Sequence, residues 1–338
     1  MTGEGQRTLA ERRKKIIEEA RQENVRKEKE KLKKLTFADF FLKSYLPVAE
    51  TNKKVDTIRK EKEHFKNWIM PVIGNLPLQS ITPLNVERIK KNMLDKNRSP
   101  RTVQYVFATL RQCWNLARRD GIVTSETPTK FVKLIKFDNK RLRFLTHEEV
   151  GSLLDDLKKR SMQTYHIALI SLHCGARANE IFKLAWNDVD IEKGLLTLWD
   201  TKNTKTRTAF MTQEVMDIFS KLDRGNNGEL VFPNRNGSKI NKVSNAFIRA
   251  IKKLGFNDGV TDRRQKVVFH TLRHTYASWH VQSGTDLYTL QKLMGLSSFA
   301  LVERYAHFAK SHLQAATKNF EKSIQKDTSK VVPLNFTS

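Results

Sequence analysis

The chain has 338 residues, enough for two domains of ordinary size, each with its own core. Its 62 Lys and Arg against 36 Asp and Glu leave a net charge of +26, so the expected partner is a polyanion, nucleic acid ahead of an anionic membrane. No apolar run approaches twenty residues and there is no signal-peptide core, which argues against a spanning or secreted protein.

Residues 1–35 are charge-rich, with Ile16, Ile17, Ala20, Val25 and Leu32 scattered among Glu and Lys/Arg at helical spacing, which predicts a solvated helix or frayed tail. The next region, 36–124, reads as a small bundle of four helices. "TFADFFLKSYL" opens it with Thr36 as cap and Asp39 in the first turn. "VDTIRKEKEHFKNWIMPVIG" continues it, and "TPLNVERIKKNML" has Thr82 as cap before Pro83. In "SPRTVQYVFATLRQCWNLARRDG", Val103, Val106, Phe107, Leu110, Trp114 and Ala117 share one face, while Arg101, Arg111, Arg118 and Arg119 lie off it. Cys113 and Cys174 sit in apolar stretches without CxxC spacing, the pattern of buried thiols in a reducing compartment, and the expected location is cytoplasmic.

Periodicity fades over 125–143, where "KFVKLIKFDNKRLRF" interleaves aromatics with Lys140, Arg141 and Arg143; this predicts a basic linker along a polyanion, a plain surface loop being the alternative. The capping box Thr146/Glu149 starts a second domain, 144–325, before a tail at 326–338. Gly175 reads as a helix C-cap. Strands are expected at 195–201 and 206–212, joined by "KNTK", and at "ELVF". The fold class is therefore mainly α (α+β): a helical bundle plus a mostly helical domain with one small antiparallel sheet.

Four pieces carry candidate chemistry. Arg177 and Glu180 in "CGARANE" are three apart and project from one face, which by itself reads as a surface ion pair. Lys202 begins a hairpin turn, which alone means solubility. "FHTLRHTYASWH" places His270, Arg273 and His274 inside an apolar frame, and buried cations without an anion cost several kcal/mol. "GLSSFALVERYAH" adds Tyr305 and His307.

In this order, "GARANE", "TKNTKTR", "HTLRHT", "LMGLSS" and "RYAH" resemble the motifs of the tyrosine recombinase (phage integrase) family over about residues 140–310. The bundle before them looks like that family's core-binding domain. The resemblance implies a site-specific DNA recombinase that works without a metal or other cofactor. Arg177 and Arg273 would clamp the scissile phosphate, with Glu180 orienting Arg177. Tyr305 would attack and become a 3′-phosphotyrosine, His270 would assist proton transfer, and Lys202 would protonate the departing 5′ oxygen. His274, Gly295 and His307 would stand beside the site in structural roles. Arg207, on the second strand of the hairpin, joins Arg101, Arg111, Arg118, Arg119, Lys140, Arg141 and Arg143 as candidate DNA contacts.

Leu296 departs from the pattern, because the family normally places a histidine or tryptophan after that glycine as a donor toward the phosphate. A catalytically impaired DNA-binding protein on the same scaffold is therefore the alternative reading. The implied partners are double-stranded DNA and three further copies of the chain, joined by exchange of the amphipathic segment "SHLQAATKNFEKSI", with a DNA-bending accessory protein as a further candidate. The 1–35 stretch would be the remnant of an arm-binding module or the coupler to one, and the host would be a mobile element.

Overall fold

A computed structural model describes residues 3–135, 143–199, 206–309 and 317–324. The chain divides into two units, Met1–Asp138 and Asn139–Ser338. Among the described residues, no helix is long and apolar enough to cross a membrane.

The first unit begins with the helix Gly3–Lys34. Its described side chains are nearly all exposed, Ile16 and Ile17 included, and pairs such as Lys27–Glu23 at 3.2 Å support it along the surface. Four helical runs follow, at 37–52, 55–73, Pro83–Asp95 and Pro100–Arg119. The first accepts its cap bond from Asp39 N to Thr36 Oγ1 at 3.1 Å, and Asn85 Oδ1 closes the third by accepting from Thr82 N at 2.9 Å. The first two runs each contain a π-turn, at Phe41–Tyr45 and Phe65–Ile69, and the rings of Phe41 and Phe65 stack between them at 4.0 Å.

The 100–119 helix starts at Ser99, whose hydroxyl accepts from Thr102 N, and buries the face read from its periodicity: Val103, Val106, Phe107, Leu110, Trp114 and Ala117. Each large apolar side chain there contributes roughly 1.5–3 kcal/mol relative to exposure. The Trp114 indole N–H donates to Ser125 O at 3.0 Å, so its polar edge is satisfied inside the core.

In the second unit, Thr146 and Glu149 cap the helix His147–Arg160 reciprocally, with Thr146 N donating to Glu149 Oε2 at 3.0 Å. Met162–His173 packs beside it. The sheet is antiparallel in the order β1 (Val189–Asp190), β2 (Leu195–Trp199), β3 (Thr206–Phe210). "ELVF" does not supply its third strand. Leu230 makes one isolated antiparallel bridge to Ala185, formed by the bonds from Trp186 N to Glu229 O and from Val231 N to Leu184 O. β1 takes that edge instead, with Val189 opposite Leu196. Helices Gln213–Lys221, Asn245–Lys253, His270–Gln282 and Leu287–Met294 complete the body, followed by short 3₁₀ turns at Phe299–Leu301 and Glu303–Ala309.

The 270–282 helix is the axis of this unit. Residues 271–278 are buried on every side of it, so its polar members Arg273, His274 and Thr275 must all find partners inside the protein. Thr275 Oγ1 accepts from Leu145 N at 3.0 Å, which ties the start of the unit to this helix.

Candidate active site

The site grows from the turn that ends the 162–173 helix. Gly175 follows the C-cap with φ +58°, a conformation that favours glycine, and a Cβ there would lie 2.6 Å from the Tyr276 ring. With that turn made, Arg177 is extended and caps the short helix Ala178–Ile181. Glu180, at the third helical position, accepts from Arg177 N at 2.8 Å and from Arg177 Nη1 at 2.6 Å. The pair that reads in the sequence as a surface ion pair is thus anchored on a carboxylate only 5% exposed.

Two further guanidinium groups face that carboxylate. Arg207 Nη2 donates to Glu180 Oε2 at 3.0 Å, and Arg273 Nη1 stands 4.0 Å from the same oxygen. Three cations around one anion leave a local excess of two positive charges in a partly desolvated site, where Coulomb forces are stronger than in water. Burial pushes the Glu180 carboxyl up, but Arg207, the Arg177 backbone N–H, Arg273 and the Arg177 side chain together hold it below its ordinary value. Arg273 is 2% exposed and donates to Gly175 O and, at 2.6 Å, to Met294 O. Burial first, then Arg177 and Arg207, press its guanidinium down to about 9, still charged at neutral pH. Arg177, at 35% side-chain exposure, is the member of the set open to solvent. The arrangement suits a ligand with two anionic oxygens.

Tyr305 lies in the Glu303–Ala309 turn and is 4% exposed. Its hydroxyl is 2.6 Å from His274 Nδ1. Burial raises the phenol above its ordinary range, and Arg304 and Arg273 pull against that rise. His307, the nearest histidine in sequence, is exposed and packs its ring on Phe308 at 3.9 Å. His270 opens the axial helix, exposed, with its ring edge-on to His274 at 4.8 Å. Gly295 ends the 287–294 helix at φ +58°, and Leu296 is half-buried against a cluster containing Tyr276, Val302 and Tyr305.

The second unit therefore brings together Arg177, Glu180, Arg273, His274 and Tyr305, with Gly295 and Leu296 at the edge. Lys202, Lys140 and Arg141 lie outside the described residues. Arg207 does not face outward: its guanidinium is bonded inside the site. Arg143 is half-buried, donating to Phe144 O and to the Glu149 carboxylate. In the first unit, Arg101, Arg111, Arg118 and Arg119 are all exposed on the 100–119 helix, Arg101 lying over the Tyr105 ring at 4.7 Å. Two features lay beyond the sequence reading. The first is the carbonyls of Gly175 and Met294 as arginine acceptors, which no residue type signals. The second is the bond from His274 to Tyr305, for which the burial of a histidine one residue past Arg273 was the available hint. Among the described residues, no group of three or more His, Cys, Asp or Glu is placed to hold a metal ion.

The chain is similar to known proteins in both of its units. Residues 143–312, half of the chain, match the phage integrase family, and residues 36–94 match the SAM-like domain found N-terminal in phage integrases. The integrase of Escherichia phage 186 is 26% identical over 253 residues, which cover 73% of this chain and 70% of that one. The integrase of Haemophilus phage HP1 is 29% identical over 228 residues, covering 67% of this chain and 62% of its own length. The tyrosine recombinase XerC of Lactobacillus leichmannii is 26% identical over 63% of this chain and 74% of its own. Among solved structures, the Tn1549 transposon integrase in complex with a circular intermediate DNA superposes with a TM-score of 0.69 at 18% identity, over 84% of this chain and 99% of that one. A lambda integrase tetramer bound to a Holliday junction shares the fold at a TM-score of 0.61 and 17% identity, over 78% of each chain. Five motifs in order, the shared fold and the matched family domain lead to one assignment: the chain belongs to the phage integrase family, the tyrosine recombinases, enzymes of site-specific DNA recombination.

Proposed function

We propose that this protein cuts and rejoins DNA at specific sites through a covalent 3′-phosphotyrosine. The observation that carries the reading is the cluster of Arg177, Arg207 and Arg273 around the buried Glu180 carboxylate, with the Tyr305 hydroxyl held in the same domain beside Arg273. Arg177 and Arg273 neutralise the non-bridging oxygens as charge builds on the phosphate, and Glu180 keeps Arg177 in place. The Tyr305 oxygen attacks phosphorus, the bond to the 5′ oxygen breaks, and the phosphotyrosine conserves the ester for rejoining to a new 5′ hydroxyl. The tyrosine proton passes to His274, whose Nδ1 already meets that hydroxyl, with His270 next to it. By its place in the family motif, Lys202 protonates the departing oxygen.

Duplex DNA is the substrate, held by phosphate contacts from the exposed arginines of the 100–119 helix among others. Strand exchange joins two sites on four copies of the chain. The helix at 317–324, with Phe320 and Ile324 exposed, supports exchange of the C-terminal segment between neighbours, and a DNA-bending protein can assist the assembly.

The test uses a nicked duplex spanning the junction sequenced from the DNA flanking the gene. Denaturing gels should show a covalent, protease-sensitive adduct, and peptide mass spectrometry should place the nucleotide on Tyr305. No adduct at any protein concentration, or a nucleotide on another residue, removes this reading.

Leu296 favours the second reading, a DNA-binding protein with impaired chemistry, because it cannot donate to the phosphate. Its packing on the Tyr305 cluster favours an apolar support for the nucleophile instead. Leu296→His should raise single-turnover cleavage about tenfold, less than the full value of a transition-state donor, because the cluster loses packing. An unchanged or lower rate shows that the site is complete with leucine.

A further inference from the structure

β3 carries one residue at odds with its own alternation. Leu196, Leu198 and Ala209 occupy the side of the sheet that faces the core, and all three are buried. Arg207 stands directly opposite Leu198, so the pleat sends it to that same face, where an apolar side chain is the rule. A guanidinium placed there is stable only with fixed acceptors. It has three: Nη1 donates to Leu293 O at 2.9 Å, and Nη2 donates to Gly175 O at 3.1 Å and to Glu180 Oε2 at 3.0 Å.

Each acceptor belongs to a different part of the site. Leu293 lies at the end of the helix that delivers Gly295 and Leu296, Gly175 makes the turn before Arg177, and Glu180 is the carboxylate shared by the arginines. The Gly295 turn also rests on the stem of Arg207, since a Cβ at Gly295 would lie 2.2 Å from Arg207 Cδ. Both terminal nitrogens are engaged on the protein, Nε is buried without a partner among the described residues, and the side chain is 11% exposed, so Arg207 has little left to offer a substrate directly.

We propose that Arg207 is a positioning residue for strand cleavage, which locks the Gly175 turn, Glu180 and the Gly295–Leu296 turn into one frame. Sitting near the start of β3, it also fixes the base of the hairpin in whose connection Lys202 lies. The proposal rests on the recombinase reading and deepens it. The planar fork of arginine is essential, because a lysine ammonium at the end of a flexible stem cannot bridge Leu293 O and Glu180 together.

The test uses the full chain, the nicked junction duplex, and the variants Arg207→Lys, Arg207→Met, Gly295→Asn and Arg207→Met/Gly295→Asn. Both Arg207 variants should slow cleavage at saturating duplex on the order of 100-fold. The duplex Kd should move less than about threefold, since Arg207 acts on geometry and leaves the phosphate contacts in place. Hydrogen exchange at Gly295 and Leu296 should accelerate about tenfold or more, with the 147–160 helix unchanged. Asparagine tolerates the left-handed φ of Gly295, so Gly295→Asn should act by displacing Arg207, and the double variant should cleave no more slowly than Arg207→Met.

Cleavage by Arg207→Met close to the wild-type rate, additive losses in the double variant, or faster exchange throughout the unit would each overturn the proposal. If the wild-type chain forms no adduct on this duplex, the recombinase reading fails separately. The exchange pattern and its coupling to Gly295→Asn then still decide whether Arg207 holds the frame.

Discussion

Arg273→Met should lower single-turnover cleavage about 1,000-fold while changing the free energy of unfolding by less than about 2 kcal/mol. The two effects separate because this arginine is held against its own solvation. Burial and the charges of Arg177 and Arg207 depress its guanidinium to about 9, so at neutral pH the folded state carries a charge that the unfolded chain holds more comfortably. The sign follows from linkage. Between about 9 and the ordinary guanidinium range the unfolded chain binds more protons, so stability rises with pH there, and the full penalty stands at neutral pH. Methionine removes that penalty and fills similar volume, but it leaves Met294 O without its donor, at about 1–3 kcal/mol, while Gly175 O keeps the bond from Arg207 Nη2. The opposing terms nearly cancel in stability. Nothing cancels the lost charge on a pentacoordinate phosphate. Urea unfolding and adduct formation on the nicked duplex check the two halves. Arg273→Lys, which keeps the charge and loses the fork, should fold like the wild type and recover only part of the rate. Cleavage within tenfold of wild type in Arg273→Met would take Arg273 out of the clamp.

Local rules made much of the scaffold legible before any coordinates. Thr36, Thr82 and Thr146 cap the helices they precede, because capping depends on neighbours three residues away. The apolar face of the 100–119 helix follows from its period, and the fold class follows from the pattern as a whole. The order of the motifs was enough for the family.

The misreadings all concern distance in the chain. Glu180 beside Arg177 looks like a surface pair because its other partners, Arg207 and Arg273, are 27 and 93 positions away (207 − 180 and 273 − 180). Arg207 looks like a phosphate contact because basic residues on a hairpin usually face water. Yet its position in register with Ala209 and Met211, both buried, already placed it on the inner face. "ELVF" has strand composition, but the segment that pairs with it contributes only one bridge. His274, given only a structural role beside the site, makes the bond to the Tyr305 hydroxyl from 31 residues earlier in the chain.

That bond carries the second large effect. Replacing His274 by alanine should slow cleavage at neutral pH about 100-fold and remove the acid limb of the pH–rate profile. Burial raises the Tyr305 phenol, so the nucleophile is un-ionised at neutral pH and needs an acceptor as it attacks. Neutral His274 can take the proton at Nδ1, the atom 2.6 Å from the hydroxyl. Once His274 is protonated, Nδ1 becomes a donor and the route closes, so the wild-type rate should fall on the acid side of its pH profile. His270 competes for the role, being edge-on to His274 and exposed at the helix start. The two part company in their variants. If His274 is the acceptor, His270→Gln keeps the acid limb at a reduced rate, whereas His274→Ala loses it. The reverse outcome assigns the proton to His270 and leaves the His274 bond as a tether that holds Tyr305 before DNA arrives.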